Sequence, residues 1–199
     1  MDINQFTSSI LAIWNKLNVH ELKTDVVSQL SDVVHINNGP YKHCKNLPGI
    51  YCFSYVGESL DFGEFNQRYS NSSNNDYKTS KAYPNCYQDA IENKSIILNN
   101  LKEAKCFYIG KNEKVKSRII QHIGENGGSK STYGLHLNRL KESQRELYNS
   151  LYVGCYHLPP EVIEQLTGNG SHGKYITQQL ITYLETELRK ELSPMVGKQ

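Results

Sequence analysis

A chain of 199 residues with 38% hydrophobic residues is long enough to bury a core, and its mean hydropathy of −0.59 is typical of a soluble protein. No apolar run approaches the length of a membrane span, and the N-terminal Met-Asp-Ile-Asn-Gln lacks the basic start and apolar core of a signal peptide. Five cysteines, an odd number without metal-type spacing, indicate free thiols in a reducing compartment. We therefore expect a cytoplasmic protein that does not insert into a membrane.

The first part of the chain predicts helices. Apolar residues recur at helical spacing from Thr7 to Leu17 and again from about Glu21 to Val34, and the turn sequence Asn37-Asn-Gly-Pro follows. This pattern predicts an N-terminal helical extension over residues 1–45, followed by a core over residues 46–199. Docking on the core is the plainest expectation for the extension, with dimerisation and DNA contact as alternatives.

The core is predicted to alternate strands and helices. Its strands are Gly49 to Val56, Lys105 to Ile109 and Leu151 to Leu158. Its helices are Tyr87 to Lys102, Glu113 to Ile123, Thr132 to Leu147, Glu161 to Leu166 and Gln178 to Met195. Residues from about 58 to 104 form an insertion between the first two strands, and their Ser- and Asn-rich part is too polar to support a packed core.

The most informative stretch runs from Cys106 to His122 and predicts a strand, a basic turn and a helix. The strand ends in Tyr108-Ile-Gly, and the helix carries Arg118 and His122 four residues apart, so both project from one face. A tyrosine at a strand end, an arginine and a histidine can bind and polarise a phosphodiester together.

Further motifs extend this pattern along the chain. In order they are Gly49-Ile-Tyr51, Tyr108-Ile-Gly110, Arg118-x-x-x-His122, and Glu185 with Pro194 nine residues later. This order resembles the GIY-YIG nuclease family, from about residue 47 to the C-terminus. The resemblance implies an α/β (α+β) fold with a small antiparallel three-stranded sheet flanked by helices, and DNA cleavage with one divalent ion, Mg²⁺ or Mn²⁺, per site.

Two features depart from the family pattern. The family joins its two tyrosine strands by roughly ten residues, whereas here residues 56–107 intervene. The family also tends to carry an Asn three residues after the Pro, where this chain has Gly197. The first departure predicts an inserted element, and the second removes a side chain that usually supports the site.

The resemblance also implies roles for individual side chains. Tyr51 accepts a proton from the attacking water, Tyr108 positions the phosphate, and Glu185 holds the metal, for which one carboxylate is chemically sufficient. Arg118 offers a planar, permanently charged fork for the phosphate, and His122 either accepts a proton or hydrogen-bonds Tyr51. The alternative is that these are strand tyrosines packing across a sheet and ordinary residues of helix surfaces.

Basic residues concentrate around this stretch. Residues 102–146 carry ten Lys and Arg against five Asp and Glu, although the whole chain has a net charge of only +2. We expect Lys111, Lys114, Lys116 and Arg118 to contact DNA phosphates. The alternative is a solvated basic face.

The sequence thus favours a metal-dependent DNA endonuclease that hydrolyses phosphodiester bonds. Because the glutamate helix ends almost at the C-terminus, a compact type II restriction-like enzyme is the preferred subtype, with a DNA methyltransferase as an associated partner. A homodimer follows if two strands are cut at a palindrome. The alternatives are a non-catalytic DNA-binding module on the same fold and an unrelated α/β interaction protein.

Overall fold

The computed structural model describes residues 26–30, 32–38, 44–57, 95–98, 101–124, 135, 137–139, 141, 145–167 and 171–194. Its strands are β1 (Val34–His35), β2 (Gly49–Tyr55), β3 (Ser95–Leu98), β4 (Leu101–Asn112) and β5 (Leu151–His157). Its helices are α1 (Val115–Ile123), α2 (Arg145–Asn149), α3 (Pro160–Thr167) and α4 (Ser171–Leu192). Residues 26–30 are also helical, and 3₁₀ turns occupy Ile36–Asn38 and Leu137–Arg139.

The strands form one sheet in the order β1-β5-β2-β4-β3, and every neighbouring pair is antiparallel. The prediction of a mixed α/β fold around an antiparallel sheet is therefore confirmed, and the three predicted strands correspond to β2, β4 and β5. The predicted number of strands is wrong, because β3 and the two-residue β1 extend the sheet at its two edges.

The helix predicted from Tyr87 to Lys102 is wrong over its described part. Residues 95–98 form β3, and β4 begins at Leu101, so this stretch is a pair of antiparallel strands. A short apolar run fits either a buried helix or a strand, and the β-branched pair Ile96 and Ile97 favours the strand. The predicted insertion therefore contributes residues 95–98 and 101–104 to the sheet.

Other helix bounds differ from the predicted ones. The final helix begins at Ser171 rather than Gln178 and ends at Leu192, just before Pro194, which cannot continue a helix. The helix predicted from Thr132 to Leu147 is replaced, within the described residues, by the 3₁₀ turn Leu137–Arg139 and by α2. The helix predicted from Glu21 to Val34 is helical at residues 26–30, and Val34 already belongs to β1.

Helices cover both faces of the sheet, which explains why all seven residues of β2 are buried. On the first face, α1 packs Val115, Ile119 and Ile123 against Phe53. On the second face, α3 and α4 pack on the sheet with a row of aliphatic residues. That row includes Val162, Leu166, Leu180, Ile181, Leu184 and Leu188. Each such side chain contributes about 1.5–3 kcal/mol when it leaves water, so the two helical layers hold β2 at the centre of the fold.

The described part of the N-terminal extension docks on this core, as expected. Val26 and Leu30 are buried among the residues of the second face, and β1 pairs with β5 through Val34 and Val153. The backbone of Leu30 comes so close to Gly154 that a Cβ there would overlap the Leu30 carbonyl. Residues 1–25 lie outside the described residues, and the boundary near residue 45 stays a prediction. None of the described helices has the length and apolar content needed to cross a bilayer.

Candidate active site

The pairing of β2 with β4 brings the two motif tyrosines together despite the long segment between them. Phe53 lies opposite Tyr108 and Tyr51 lies opposite Gly110, so the rings of Tyr51 and Tyr108 stand 6.1 Å apart between centroids on one face of the sheet. Gly110 is required by this arrangement, because a Cβ there would overlap the ring and hydroxyl of Tyr51. The glycine of the Tyr-Ile-Gly motif thus leaves the space that Tyr51 fills.

Helix α1 carries His122 into the same place. His122 is fully buried, and its Nε2 lies 2.7 Å from the Tyr51 hydroxyl. Its Nδ1 accepts the backbone N–H of Leu135 at 3.0 Å. A backbone N–H can only donate, so Nδ1 carries no proton and the neutral ring is protonated at Nε2. His122 therefore donates to Tyr51, and of its two predicted roles the geometry favours biasing the ionisation of Tyr51.

Arg118 lies one turn before His122 on α1 and also reaches Tyr51. Its guanidinium hydrogen-bonds the Tyr51 hydroxyl, and its Nη1 donates to Gln121 Oε1 at 3.0 Å. The prediction that Arg118 and His122 share one helix face is confirmed by their common contact with Tyr51. The Tyr51 oxygen thus accepts from Arg118 and His122, which uses both of its lone pairs.

The start of α1 is fixed by the segment just before β2. The N–H of Lys116 donates to the carbonyl of Lys45 at 3.2 Å, and that of Val115 donates to Leu47 at 3.3 Å. The side chain of Asn46 accepts from the backbone and hydroxyl of Ser117 at 2.9 and 3.0 Å. These contacts satisfy N–H groups that the first helical turn leaves unpaired, and they set where Arg118 stands.

The two tyrosines differ in how readily they ionise. Burial raises the pKa of Tyr51 well above its ordinary value, the neighbouring Tyr108 raises it further, and Arg118 lowers it. Burial also raises the pKa of Tyr108, but Arg189 and Arg118 both oppose this. The hydrogen bond between the two hydroxyls raises the pKa of Tyr51 and lowers that of Tyr108. Because the Tyr51 oxygen already accepts from His122 and Arg118, its own hydroxyl is the donor in this bond. Tyr108 is therefore the easier of the two to ionise.

Glu185 lies on α4, against the opposite face of the sheet, and is gripped by two cations. Its Oε2 is 2.8 Å from Lys111 Nζ, and its Oε1 is 3.3 Å from Arg189 Nε. Arg189 also donates from Nη2 to the carbonyl of Ile109 at 2.6 Å, and its guanidinium lies 5.7 Å from the centre of the Tyr108 ring. Arg189 thus connects the glutamate to Tyr108.

Arg189 was not among the site residues predicted from the sequence. A signal was present, because a basic residue four positions after Glu185 on a helix is the spacing of an ion pair. That spacing is common on helix surfaces and gives no reason to single out this pair. Glu187 forms an ordinary surface ion pair of similar spacing, because its carboxylate pairs with Lys190, whose side chain is 70% exposed.

The cluster of tyrosines, Arg118 and His122 meets the cluster around Glu185 at the edge of β4. The described pairing with β3 ends at Lys105, so the part of β4 that carries Tyr108 and Ile109 has β2 on one side and Arg189 of α4 on the other. The tyrosine, arginine and histidine cluster on one face is thereby joined to Glu185 on the other. The negative charge of Glu185 makes a small contribution to raising the pKa of Tyr108.

The remaining predicted residues lie farther out. Lys114 is exposed where the chain turns into α1, and Lys116 is half-buried in the first turn of α1, near Cys44. Neither amine contacts the tyrosine cluster or Glu185 among the described residues. Their predicted contacts with DNA stay a prediction, and Gly197 lies outside the described residues.

The donor set restricts which ion the site can hold. Within the described residues, no group of three or more His, Cys, Asp and Glu side chains is placed to hold a metal ion. A single carboxylate does not fit a structural ion held by protein alone. It does fit Mg²⁺, which commonly keeps several waters and uses one or two carboxylates together with phosphate oxygens of the substrate.

Comparison with known proteins identifies no relative of this chain. No family model matches the chain, and neither a curated protein nor a solved structure matches it.

Proposed function

We propose that this chain is a divalent-metal-dependent DNA endonuclease with a GIY-YIG-like catalytic core. The observation that carries the proposal is one continuous set of contacts from His122 through Tyr51 and Tyr108 to Arg189 and Glu185. It supports the proposal because phosphodiester hydrolysis needs a proton acceptor, cations for the phosphate charge and help for the leaving oxygen. The set offers one group for each need.

Tyr108 is the proposed proton acceptor. The resemblance assigned this role to Tyr51, but Tyr51 is only 1% exposed, and its oxygen is occupied by His122 and Arg118. Tyr108 is only partly buried, accepts from Tyr51 and has two guanidinium groups nearby to stabilise its anion. Tyr51 and His122 are then positioning residues, since the hydrogen bond that Tyr51 donates stabilises the ionised Tyr108 oxygen and His122 holds the Tyr51 hydroxyl in place.

The charged residues have separate roles. Arg118 stabilises the charge that develops on the phosphate, because its planar guanidinium can donate to two oxygens at once. Glu185 would hold the metal ion, with phosphate and water completing its shell. When bound, the ion supplies charge neutralisation for the phosphate and the leaving oxygen. Lys111, Lys114 and Lys116 hold the DNA backbone.

A plasmid-cleavage assay with Mg²⁺, Mn²⁺ and EDTA tests the proposal. Wild-type protein should nick or cut DNA with either ion and not with EDTA. Tyr108→Phe, Arg118→Ala and Glu185→Gln should each lower the rate by about a hundredfold or more, the usual loss when a group that stabilises the transition state is removed. Glu187→Gln is the matched control, because Glu187 lies two residues after Glu185 on the same helix and pairs with Lys190 instead of with the site.

Two outcomes would replace the proposal. If no ion supports cleavage but the protein still retards DNA in a gel, the chain is a DNA-binding module that keeps the fold. If it neither cleaves nor binds DNA, the α/β interaction protein is favoured. The type II restriction subtype, the homodimer, the methyltransferase partner and the cytoplasmic location are further parts of the proposal. A methyltransferase gene beside this one would support the restriction subtype and the methyltransferase partner.

A further inference from the structure

The ion pair between Lys111 and Glu185 sits where the proposed metal ion has to bind. Their side chains are only 27% and 14% exposed, so this is a partly desolvated pair. The Lys111 ammonium contacts one oxygen of the carboxylate, Oε2, at 2.8 Å, and Arg189 contacts the other. Both oxygens of the proposed metal ligand are therefore already engaged by cations of the same chain.

The two cations are not equally replaceable. Arg189 is fixed by the Ile109 carbonyl and by its position over the Tyr108 ring as well as by Glu185. For the Lys111 ammonium, Glu185 is the one partner among the described residues. A lysine is a compact charge on a flexible four-carbon stem, so it can leave at small cost, whereas a planar guanidinium with several contacts cannot.

We propose that the Lys111 ammonium occupies the cation position at Glu185 Oε2 and that a divalent cation binds there by displacing it. This inference rests on the proposed function and adds a control to it. The ammonium and a divalent cation repel each other at contact distance, so each weakens the binding of the other to this oxygen. Once displaced, Lys111 is released beside the site, where it can engage a DNA phosphate. Metal binding and phosphate capture are then coupled through one lysine.

Direct Mn²⁺ binding in the absence of DNA tests the inference, measured from the loss of the electron paramagnetic resonance signal of free Mn²⁺. Lys111→Met should bind Mn²⁺ about fivefold more tightly than wild type, because a partly exposed ion pair of modest strength no longer competes. Glu185→Gln should lose this binding. Lys190→Met is the matched control, since it removes a 2.8 Å lysine–glutamate pair on the same helix and should bind Mn²⁺ like wild type.

DNA cleavage by the same variants gives a second measurement, in which the expected change is a loss and not a gain. Lys111→Met should cleave more slowly at saturating Mn²⁺ although it binds the ion more tightly, and a purely structural lysine would not produce this split. Circular dichroism confirms that each variant is folded, and Lys111→Gln repeats the test with a polar side chain. If Lys111→Met and Lys111→Gln bind Mn²⁺ no more tightly than wild type, the competition is refuted while the endonuclease proposal stands. If wild-type binding does not depend on Glu185, both the metal ligand and the inference are wrong.

Discussion

Replacing Tyr51 with Phe removes one oxygen and leaves the aromatic packing in place. The Tyr51 hydroxyl accepts a hydrogen bond from His122 Nε2 at 2.7 Å, and it also contacts Arg118 and Tyr108. His122 is fully buried, and the N–H of Leu135 holds its ring from the other side through Nδ1. The substitution therefore removes the acceptor that the buried Nε2–H has in the wild type.

The expected loss of stability follows from that lost hydrogen bond. A buried polar group without a hydrogen bond costs about 1–3 kcal/mol, so we expect Tyr51→Phe to lower the free energy of unfolding by about 2 kcal/mol. For a chain of this size, each kcal/mol shifts the melting temperature by roughly 2–4 °C, so the shift is about 4–8 °C. Urea denaturation followed by circular dichroism measures the change, and an unchanged slope shows that the unfolded state is not affected.

The matched control is Tyr55→Phe, on the same strand and the same face of the sheet. Burial and the charge of Glu146 are the influences on the Tyr55 hydroxyl among the described residues, with no hydrogen bond, so its removal should change stability by less than about 0.5 kcal/mol. Nitrogen chemical shifts of His122 should show the proton on Nε2 in wild type. Equal stability of the two variants, or a proton on Nδ1, would refute the hydrogen-bond directions described for the site.

Three further predictions concern packing, pH and ionisation. Gly110→Ala should cost about 2 kcal/mol through overpacking, and this cost should shrink in a Tyr51→Ala background, as measured by a double-mutant cycle in urea. Burial, with a smaller contribution from the Lys45 charge, lowers the pKa of His157 below its ordinary 6.5, and its Nε2 accepts the Lys45 N–H. As the pH falls, His157 therefore takes up a proton in the unfolded chain before it does so in the folded chain. The free energy of unfolding should fall as the pH drops below about 6.5. His157→Gln should flatten that slope, and an unchanged slope in urea titrations would contradict it. If Tyr108 is the proton acceptor, cleavage should keep rising at alkaline pH because burial raises its pKa, and a pH–rate profile that levels off near neutrality would exclude it.

The sheet was predicted where the chain carries a decisive pattern. The runs that became β2, β4 and β5 are apolar, β-branched or aromatic, and bounded by turn signals, so their type was clear from local sequence alone. Residues 95–98 lacked such bounds and were assigned to a helix. Their strand is set by pairing with β4, a contact that the local sequence does not contain.

The sequence predicted which motif residues come together better than it predicted the hydrogen bonds between them. The motif residues Tyr51, Tyr108, Arg118 and His122 do cluster, since spacing along a strand and a helix fixes which side chains face each other. The proton position on His122 depends on the Leu135 N–H, which comes from a segment with no recognisable motif. Local spacing cannot reveal such a contact, and it therefore could not rank the two tyrosines as proton acceptors.

The long segment between the tyrosine strands adds little to the free-energy cost of pairing β2 with β4. The 45 residues from 56 to 100 separate β2 from β4, compared with roughly ten in the family that the motifs resemble. Loop-closure entropy grows only with the logarithm of length, so the difference costs about 1.3 kcal/mol. Burial of Ile50, Tyr51 and Phe53, each at most 1% exposed, contributes about 1.5–3 kcal/mol per side chain and exceeds that cost. The core, rather than the connection, therefore holds Tyr51 beside Tyr108, and shortening residues 58–94 should leave the Tyr51–His122 hydrogen bond intact.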